Sequence, residues 1–181
     1  ALKGTLRTES PTNWAYLQRN LGGVLQALGE RTDDIVTLDQ AVAAYRAALE
    51  VFTREATPFP WATTQNRLGE VLYRLDSKSG DTAGLKEAVS IYQAALKILG
   101  RNSTPLLWSQ TMNNLGQAGQ VLGRELGNRE VVERAVAACQ QALKARTRDK
   151  HPTLWAATQN NLGSALFLLG RMTGEDKHYE A

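Results

Sequence analysis

The chain has 181 residues, 43% of them hydrophobic, and its 21 basic and 18 acidic residues leave a net charge of +3. This composition suffices for one domain with a buried core, and the evenly mixed charge argues against nucleic acid as a partner, because nucleic-acid-binding proteins gather basic residues on one face. One cysteine excludes an internal disulfide framework and suits the cytoplasm, and no apolar run approaches the ~18 residues of a membrane span.

A repeat of 47 residues runs through the chain and organises every predicted element. The spacing links the four tryptophans, the four helix-start prolines and four Leu-Gly pairs without a gap. These positions are Trp14, Trp61, Trp108 and Trp155; Pro11, Pro58, Pro105 and Pro152; and Leu21-Gly22, Leu68-Gly69, Leu115-Gly116 and Leu162-Gly163. So many aligned positions indicate an array of similar units.

The repeat divides the chain into consecutive units. Residues 1–10 align with the second half of a unit and are predicted to form the tail of a preceding helix. Three complete units then span 11–57, 58–104 and 105–151, and 152–181 is a partial fourth unit. Because both ends break inside a helix and no capping unit is evident, we expect either a longer array or end-to-end stacking of copies through residues such as Leu2 and Tyr179.

The first helix of each unit, helix A, is predicted over roughly 11–28 in unit one, where Trp14, Leu21 and Leu28 fall on one apolar face. Proline is tolerated at its start because the first N–H groups of a helix have no partner. Three glycines follow the last apolar position and are predicted to end the helix in a left-handed conformation. They are Gly29, Gly123 and Gly170.

The second helix, helix B, is predicted over roughly 35–55, with Leu38, Val42, Tyr45 and Leu49 on one face. Its start is marked by Asp34, Asp81 and Asn128, whose side chains accept hydrogen bonds from free N–H groups. A glycine in the middle of each helix A costs about 1 kcal/mol in helix propensity. We therefore predict that Gly22 and its equivalents let helix A approach helix B closely.

The residues that catalysis or metal binding would require are missing or badly placed. His151 and His178 have no partner at a reliable metal-ligand spacing, and Asp176-x-His178 alone is too common to indicate a site. Cys139 falls on the apolar face of helix B, which predicts a buried, unreactive thiol. The sequence therefore predicts a protein that is not an enzyme and has no catalytic residues, metal site or cofactor.

The order of the repeated residues within a unit resembles the tetratricopeptide pattern, W-x₂-L-G-x₂-Y, then A-x₃-F, then Pro. Unit one reads Gln18-x₂-Leu21-Gly22-x₂-Leu25, then Ala41-x₃-Tyr45, then Pro58. The Asn-Asn-Leu-Gly strings resemble the long-repeat branch of the family found in kinesin light chains and many bacterial proteins. The resemblance covers the whole chain and implies an all-α, right-handed α-solenoid of antiparallel helix pairs, a superhelix like those of tetratricopeptide proteins.

Three features depart from the family pattern. The repeat has 47 residues instead of the 34 of the family. The tryptophan position of the family holds Gln18, Gln65, Met112 and Gln159. In unit three, Gly119 and Cys139 stand where large residues are expected. These departures affect the expected curvature and groove shape rather than the fold.

The resemblance also implies that the face of helix A opposite its apolar face lines a concave groove. Asparagines recur on that face, and their amides both donate and accept, as holding the backbone of an extended peptide requires. Alternatively, the same amides bond to each other and join neighbouring units. The residues predicted to bind peptide are Arg19, Asn20, Asn66, Arg67, Tyr73, Arg74, Asn113, Asn114, Gln117, Asn160, Asn161 and Phe167.

The sequence thus predicts a non-catalytic module that binds a protein or peptide segment and belongs to a larger cytoplasmic, bacterial protein. Few basic residues face the predicted groove and Glu70 lies among them, which disfavours a ligand held strictly by its C-terminal carboxylate. Two alternatives remain: self-assembly through the ends of the array, giving a homo-oligomer, and control of a neighbouring catalytic domain. Neither a nucleic acid nor a membrane is expected as a partner.

Overall fold

A computed structural model describes residues 7–79 and 82–174, which are helical over most of their length and contain no strand. In chain order the helices are α1 (Pro11–Thr32), α2 (Ile35–Leu49), α3 (Pro58–Ser79), α4 (Ala83–Ala95), α5 (Pro105–Glu125), α6 (Arg129–Leu143) and α7 (Pro152–Thr173). Residues 7–9 are also helical. Each of α1, α3, α5 and α7 begins at one of the repeated prolines, as predicted.

The helices pack in adjacent pairs, most extensively α1 with α2, α3 with α4 and α5 with α6. Consecutive pairs are joined by contacts of α2 with α3, α4 with α5 and α6 with α7. The first helices of successive units also contact one another, whereas among the described residues α2, α4 and α6 do not. The all-helical prediction is confirmed, and the first helices lie closer together than the second helices do.

Three of the four mid-helix glycines have the packing role that was predicted, whereas Gly163 has no neighbour within 4 Å of an added Cβ among the described residues. A Cβ atom built on Gly22 would lie 2.8 Å from the ring of Tyr45, and one built on Gly69 would lie 2.7 Å from the ring of Tyr92. A Cβ on Gly116 would collide with the sulfur of Cys139. A side chain larger than hydrogen at these positions would push the two helices of a unit apart.

The prediction that Gly29, Gly123 and Gly170 end their helices was wrong. All three lie inside their helices, and the left-handed residues come later, at Asp33 (φ 54°) and at two other glycines, Gly127 (φ 59°) and Gly174 (φ 70°). A Cβ on Gly29 would lie 2.9 Å from the side chain of Leu38. Glycine is needed at this position because the start of helix B packs closely against helix A. Instead of ending near residue 28, as predicted, α1 continues to Thr32.

The start of helix B is capped as predicted in two units. The Asp34 carboxylate accepts a hydrogen bond from the Val36 N–H at 3.0 Å, and the Asn128 side chain accepts one from the Val131 N–H at 3.2 Å. Asp81 lies outside the described residues. The helix itself ends earlier than the predicted residue 55, since α2 stops at Leu49.

Trp14 and Trp108 belong to the core, the first packing within its own unit and the second against the preceding unit. Trp14 packs with Ala48 and Phe52 at the end of α2, and Trp108 packs with Leu99 beyond the end of α4. Cys139 is fully buried as predicted, and burial raises the pKa of its thiol to about 11.

The apolar face of helix A is buried in the second unit but open in the first. Leu68 and Val71 on α3 are buried against the preceding unit, whereas their equivalents on α1, Leu21 and Val24, are 45% and 66% exposed. Leu28, which was predicted to be part of the same buried stripe, is also exposed. The repeat pattern places these residues at equivalent positions, but it does not predict that their burial differs from unit to unit.

Candidate functional site

Three cavities follow one another along the first helices of the units. The first cavity, of about 550 Å³, lies between α1 and α3, and the last cavity, of about 560 Å³, lies between α5 and α7. The central cavity, of about 570 Å³, is lined by α1, α3 and α5, with Tyr92 of α4 behind them. Each is large enough to receive one or more side chains of a bound segment.

Nine of the twelve predicted peptide-binding residues line these cavities. The first cavity contains Arg19, Asn20 and Arg67. The central cavity contains Arg67, Tyr73, Arg74, Asn114 and Gln117. The last cavity contains Asn160 and Phe167. The predicted residues are therefore distributed along one continuous face rather than gathered at one point.

The remaining three, Asn66, Asn113 and Asn161, form no cavity wall. Asn66 and Asn113 are buried, and the Asn161 amide donates to the Asn113 side-chain oxygen at 3.1 Å, joining α7 to α5. This bond is of the kind expected if the asparagines hold neighbouring units together. The row of amides thus divides, with Asn160 exposed beside the last cavity and its sequence neighbour Asn161 engaged within the protein.

Glu70 organises the central cavity. Its Oε1 accepts hydrogen bonds from the side-chain amides of Asn66 at 3.0 Å, Gln110 at 2.8 Å and Asn114 at 2.9 Å. Its Oε2 lies 3.5 Å from the amide nitrogen of Gln26 and 3.5 Å from the guanidinium of Arg67. One carboxylate therefore joins α1, α3 and α5, and its side chain is 17% exposed.

A second chain of hydrogen bonds leads from this cavity into the core. The hydroxyl of Tyr45 donates to the Gln26 side-chain oxygen at 2.8 Å, and the Gln26 amide also donates to Glu30 at 2.9 Å. Burial raises the pKa of Tyr45 to about 12 and also raises that of Tyr73. Both phenols consequently remain neutral near pH 7, which suits hydrogen bonding rather than proton transfer.

The arginines that line the cavities differ in the groups that they contact. Arg74 pairs with Asp33 at 3.3 Å, and Arg19 stacks over the ring of Tyr16 at 4.9 Å. In the last cavity, Arg124 pairs with its neighbour Glu125 at 2.8 Å, while Phe167 is 62% exposed. The central cavity is therefore balanced in charge, and the last cavity combines an exposed aromatic ring with arginine side chains.

Several lining residues were not among the twelve predicted to bind peptide, although Glu70 had been placed on the groove face. Gln26 and Gln120 occupy the same position in the repeat as Tyr73 and Phe167, so the spacing alone would have found them. Others are Glu30, Glu70, Gln110, Ser164, Arg124 and Arg171. The last two lie beyond residue 28 of the repeat frame, where helix A was predicted to have ended.

No set of three or more His, Cys, Asp or Glu residues in the described part of the chain is grouped as a metal site would require. None of the helices in that part is both long and apolar enough to cross a membrane. His178 and Asp176 lie outside the described residues. Comparison with protein-family models, with curated proteins and with solved structures finds no match to this chain.

Proposed function

We propose that the chain is a tetratricopeptide-like right-handed α-solenoid whose first helices bind an extended peptide or protein segment without catalysing a reaction. The observation that carries the proposal is the row of three cavities, of about 550, 570 and 560 Å³, on the helix A faces of successive units. Cavities that follow one another along the first helices suit a ligand that runs across the units and places its side chains in them.

The packing of the helices supports a concave groove at this face. The first helices of neighbouring units touch, while the described second helices do not, which is the packing expected of an array that bends toward its first helices. The cavities lie on that inner side. Their lining offers amides in all three cavities, through Asn20, Asn114 and Asn160, together with aromatic rings from Tyr73 and Phe167. Such a surface can hold a peptide backbone and anchor apolar side chains.

The test is a selection of binding peptides from a random library, followed by affinity measurements on variants. Asn160→Ala and Phe167→Ala change exposed residues of the last cavity and are expected to weaken a selected peptide by about tenfold or more. Gln140→Ala, at an exposed position of α6, is the matched control and is expected to bind normally. Peptides whose affinity depends on Gln140 but not on Asn160 or Phe167 would disprove the groove.

A second candidate function is self-assembly, which one observation favours. Leu17, Leu21 and Val24 of α1 are exposed, although their equivalents on α3, Thr64, Leu68 and Val71, are buried. An apolar face of this kind often marks a protein interface. Leu2 and Tyr179, which the sequence analysis placed in such contacts, lie outside the described residues.

Sedimentation of the wild type and of a Leu21→Gln/Val24→Gln variant tests this alternative. Assembly predicts a mass that rises with concentration in the wild type and not in the variant. A wild type that stays monomeric at high concentration would count against assembly and leave peptide binding as the remaining candidate.

A further inference from the structure

The surroundings of Glu70 are those of a bound carboxylate. Its Oε1 accepts from three amides, contributed by Asn66 on its own helix and by Gln110 and Asn114 on α5. Its Oε2 faces Gln26 on α1 and the guanidinium of Arg67. Donors from several elements that converge on one carboxylate are the arrangement of an anion-binding site, in which the anion belongs to the protein itself.

This arrangement is found in one unit of the array. The position of Glu70 is occupied by Gly23, Gln117 and Ser164 in the other units, so only the second unit places a carboxylate there. The donors, in contrast, are residue types that recur on this face. The repeat therefore supplies the asparagines, whereas Glu70 and Gln110, whose position holds Tyr16, Thr63 and Ala157 in the other units, each occur in one unit only.

The neighbouring unit shows what the same amides do when no carboxylate is present. There Asn161 donates directly to the Asn113 side-chain oxygen at 3.1 Å. The equivalent residues one unit earlier, Asn114 and Asn66, both direct their N–H groups to Glu70 instead. As a result, the Asn66 side-chain oxygen is buried without a hydrogen-bond partner.

An unpaired buried acceptor is costly, so the carboxylate outweighs the direct bond between Asn66 and Asn114. We propose that the amides of Asn66, Gln110 and Asn114 form a carboxylate-binding site in the central cavity, which Glu70 fills from within the chain. Glu70 thereby excludes an acidic side chain of a ligand from this cavity. The exclusion rests on the proposed peptide-binding function, whereas the carboxylate site itself does not.

The site is tested without any peptide by chemical rescue of a Glu70→Ala variant with sodium formate. Removal of the carboxylate leaves buried donors unpaired and is expected to lower Tm by about 4–8 °C. Formate fits the vacated space and is expected to restore about half or more of that loss, whereas sodium chloride at the same ionic strength is not. If the variant is unfolded in chloride, recovery of its helical circular dichroism by formate is the readout.

Two comparisons control for general salt effects. The wild type, whose site is filled, and Glu30→Ala, which removes a cavity carboxylate bonded by Gln26 alone at 2.9 Å, should respond equally to formate and chloride. The side-chain NH₂ signals of Asn66, Gln110 and Asn114 should move together with formate in the Glu70→Ala protein and stay unchanged in the wild type.

Retention of wild-type stability by Glu70→Ala without a specific response to formate would overturn the proposal, since the amides would then have paired with each other as Asn113 and Asn161 do. Equal responses of Glu70→Ala and Glu30→Ala would overturn it as well. These results do not depend on peptide binding. A formate response together with a failure to select any peptide would leave the carboxylate site established and reject the groove function.

Discussion

The mid-helix glycines offer a test of the packing in which one substitution is made at four equivalent positions. Replacement of glycine by alanine in a helix stabilises it by about 1 kcal/mol when the new methyl group meets no neighbour. Within the described part of the chain Gly163 has no such neighbour within 4 Å, so Gly163→Ala should raise the free energy of unfolding by about 0.5–1 kcal/mol.

The other positions should respond in the opposite direction. At Gly22 and Gly69 the added Cβ would lie 2.8 Å and 2.7 Å from the rings of Tyr45 and Tyr92, and at Gly116 it would meet Cys139 and lie 3.1 Å from the Ala135 carbonyl oxygen. Tyr45, Tyr92 and Cys139 are at most 1% exposed and have little room to move. Overpacking costs about 1–3 kcal/mol, so after the gain of about 1 kcal/mol in propensity we expect a net loss of up to about 2 kcal/mol.

Urea denaturation followed by far-ultraviolet circular dichroism measures these changes. A loss of about 2 kcal/mol corresponds to a fall in Tm of about 4–8 °C for a chain of this size. The reasoning would be refuted if Gly69→Ala and Gly163→Ala stabilised the protein equally, because the contact of residue 69 with Tyr92 would then not restrict the packing of α3 against α4.

Three further predictions follow from individual side chains. Arg146 is 4% exposed, and its guanidinium donates hydrogen bonds to the hydroxyls of Ser109 at 3.2 Å and Thr158 at 3.0 Å. The same repeat position holds the buried residues Phe52 and Leu99 in other units, and burial lowers the pKa of Arg146. Both hydroxyls also donate to backbone carbonyls at 2.8 Å, so they keep hydrogen-bond partners when the guanidinium is removed. Arg146→Leu should therefore be at least as stable as the wild type in urea denaturation. A loss of more than about 1 kcal/mol in the free energy of unfolding would contradict this. Asn114→Ala should lower the free energy of unfolding by about 1 kcal/mol because it removes a hydrogen bond to Glu70. Asn160→Ala, at an exposed position, should change the free energy of unfolding by less than about 0.5 kcal/mol. Equal losses would show that the two amides have the same structural role. The Cys139 thiol, with a pKa of about 11, should react with Ellman's reagent at pH 8 only after denaturation, so rapid labelling of the folded protein would show that the thiol is accessible.

The repeat made the arrangement of helices predictable, while single features remained ambiguous. Pro11 and its equivalents fixed the helix starts because proline is compatible with the first turn and not with the interior. Gly29 was misread because a glycine after an apolar stripe suits two structures, a left-handed helix end and a close helix contact. The contact with Leu38 that decides between them depends on the three-dimensional structure.

The candidate site was predictable in outline for the same reason. The positions of Asn20, Asn114 and Asn160 on the helix A face follow from helical spacing. Which asparagines bond within the protein could not be predicted, because that choice depends on Glu70, a residue found in one unit only. Equivalent residues in a repeat share a position but do not necessarily share a partner.

The most direct test of the proposed function is a nuclear magnetic resonance titration of the chain with a peptide selected for binding. Signals of residues that line the three cavities on α1, α3, α5 and α7 are expected to shift together at one affinity. Shifts confined to the exposed surfaces of α2, α4 and α6, with the cavity residues unchanged, would contradict the claim that the first helices form the binding groove.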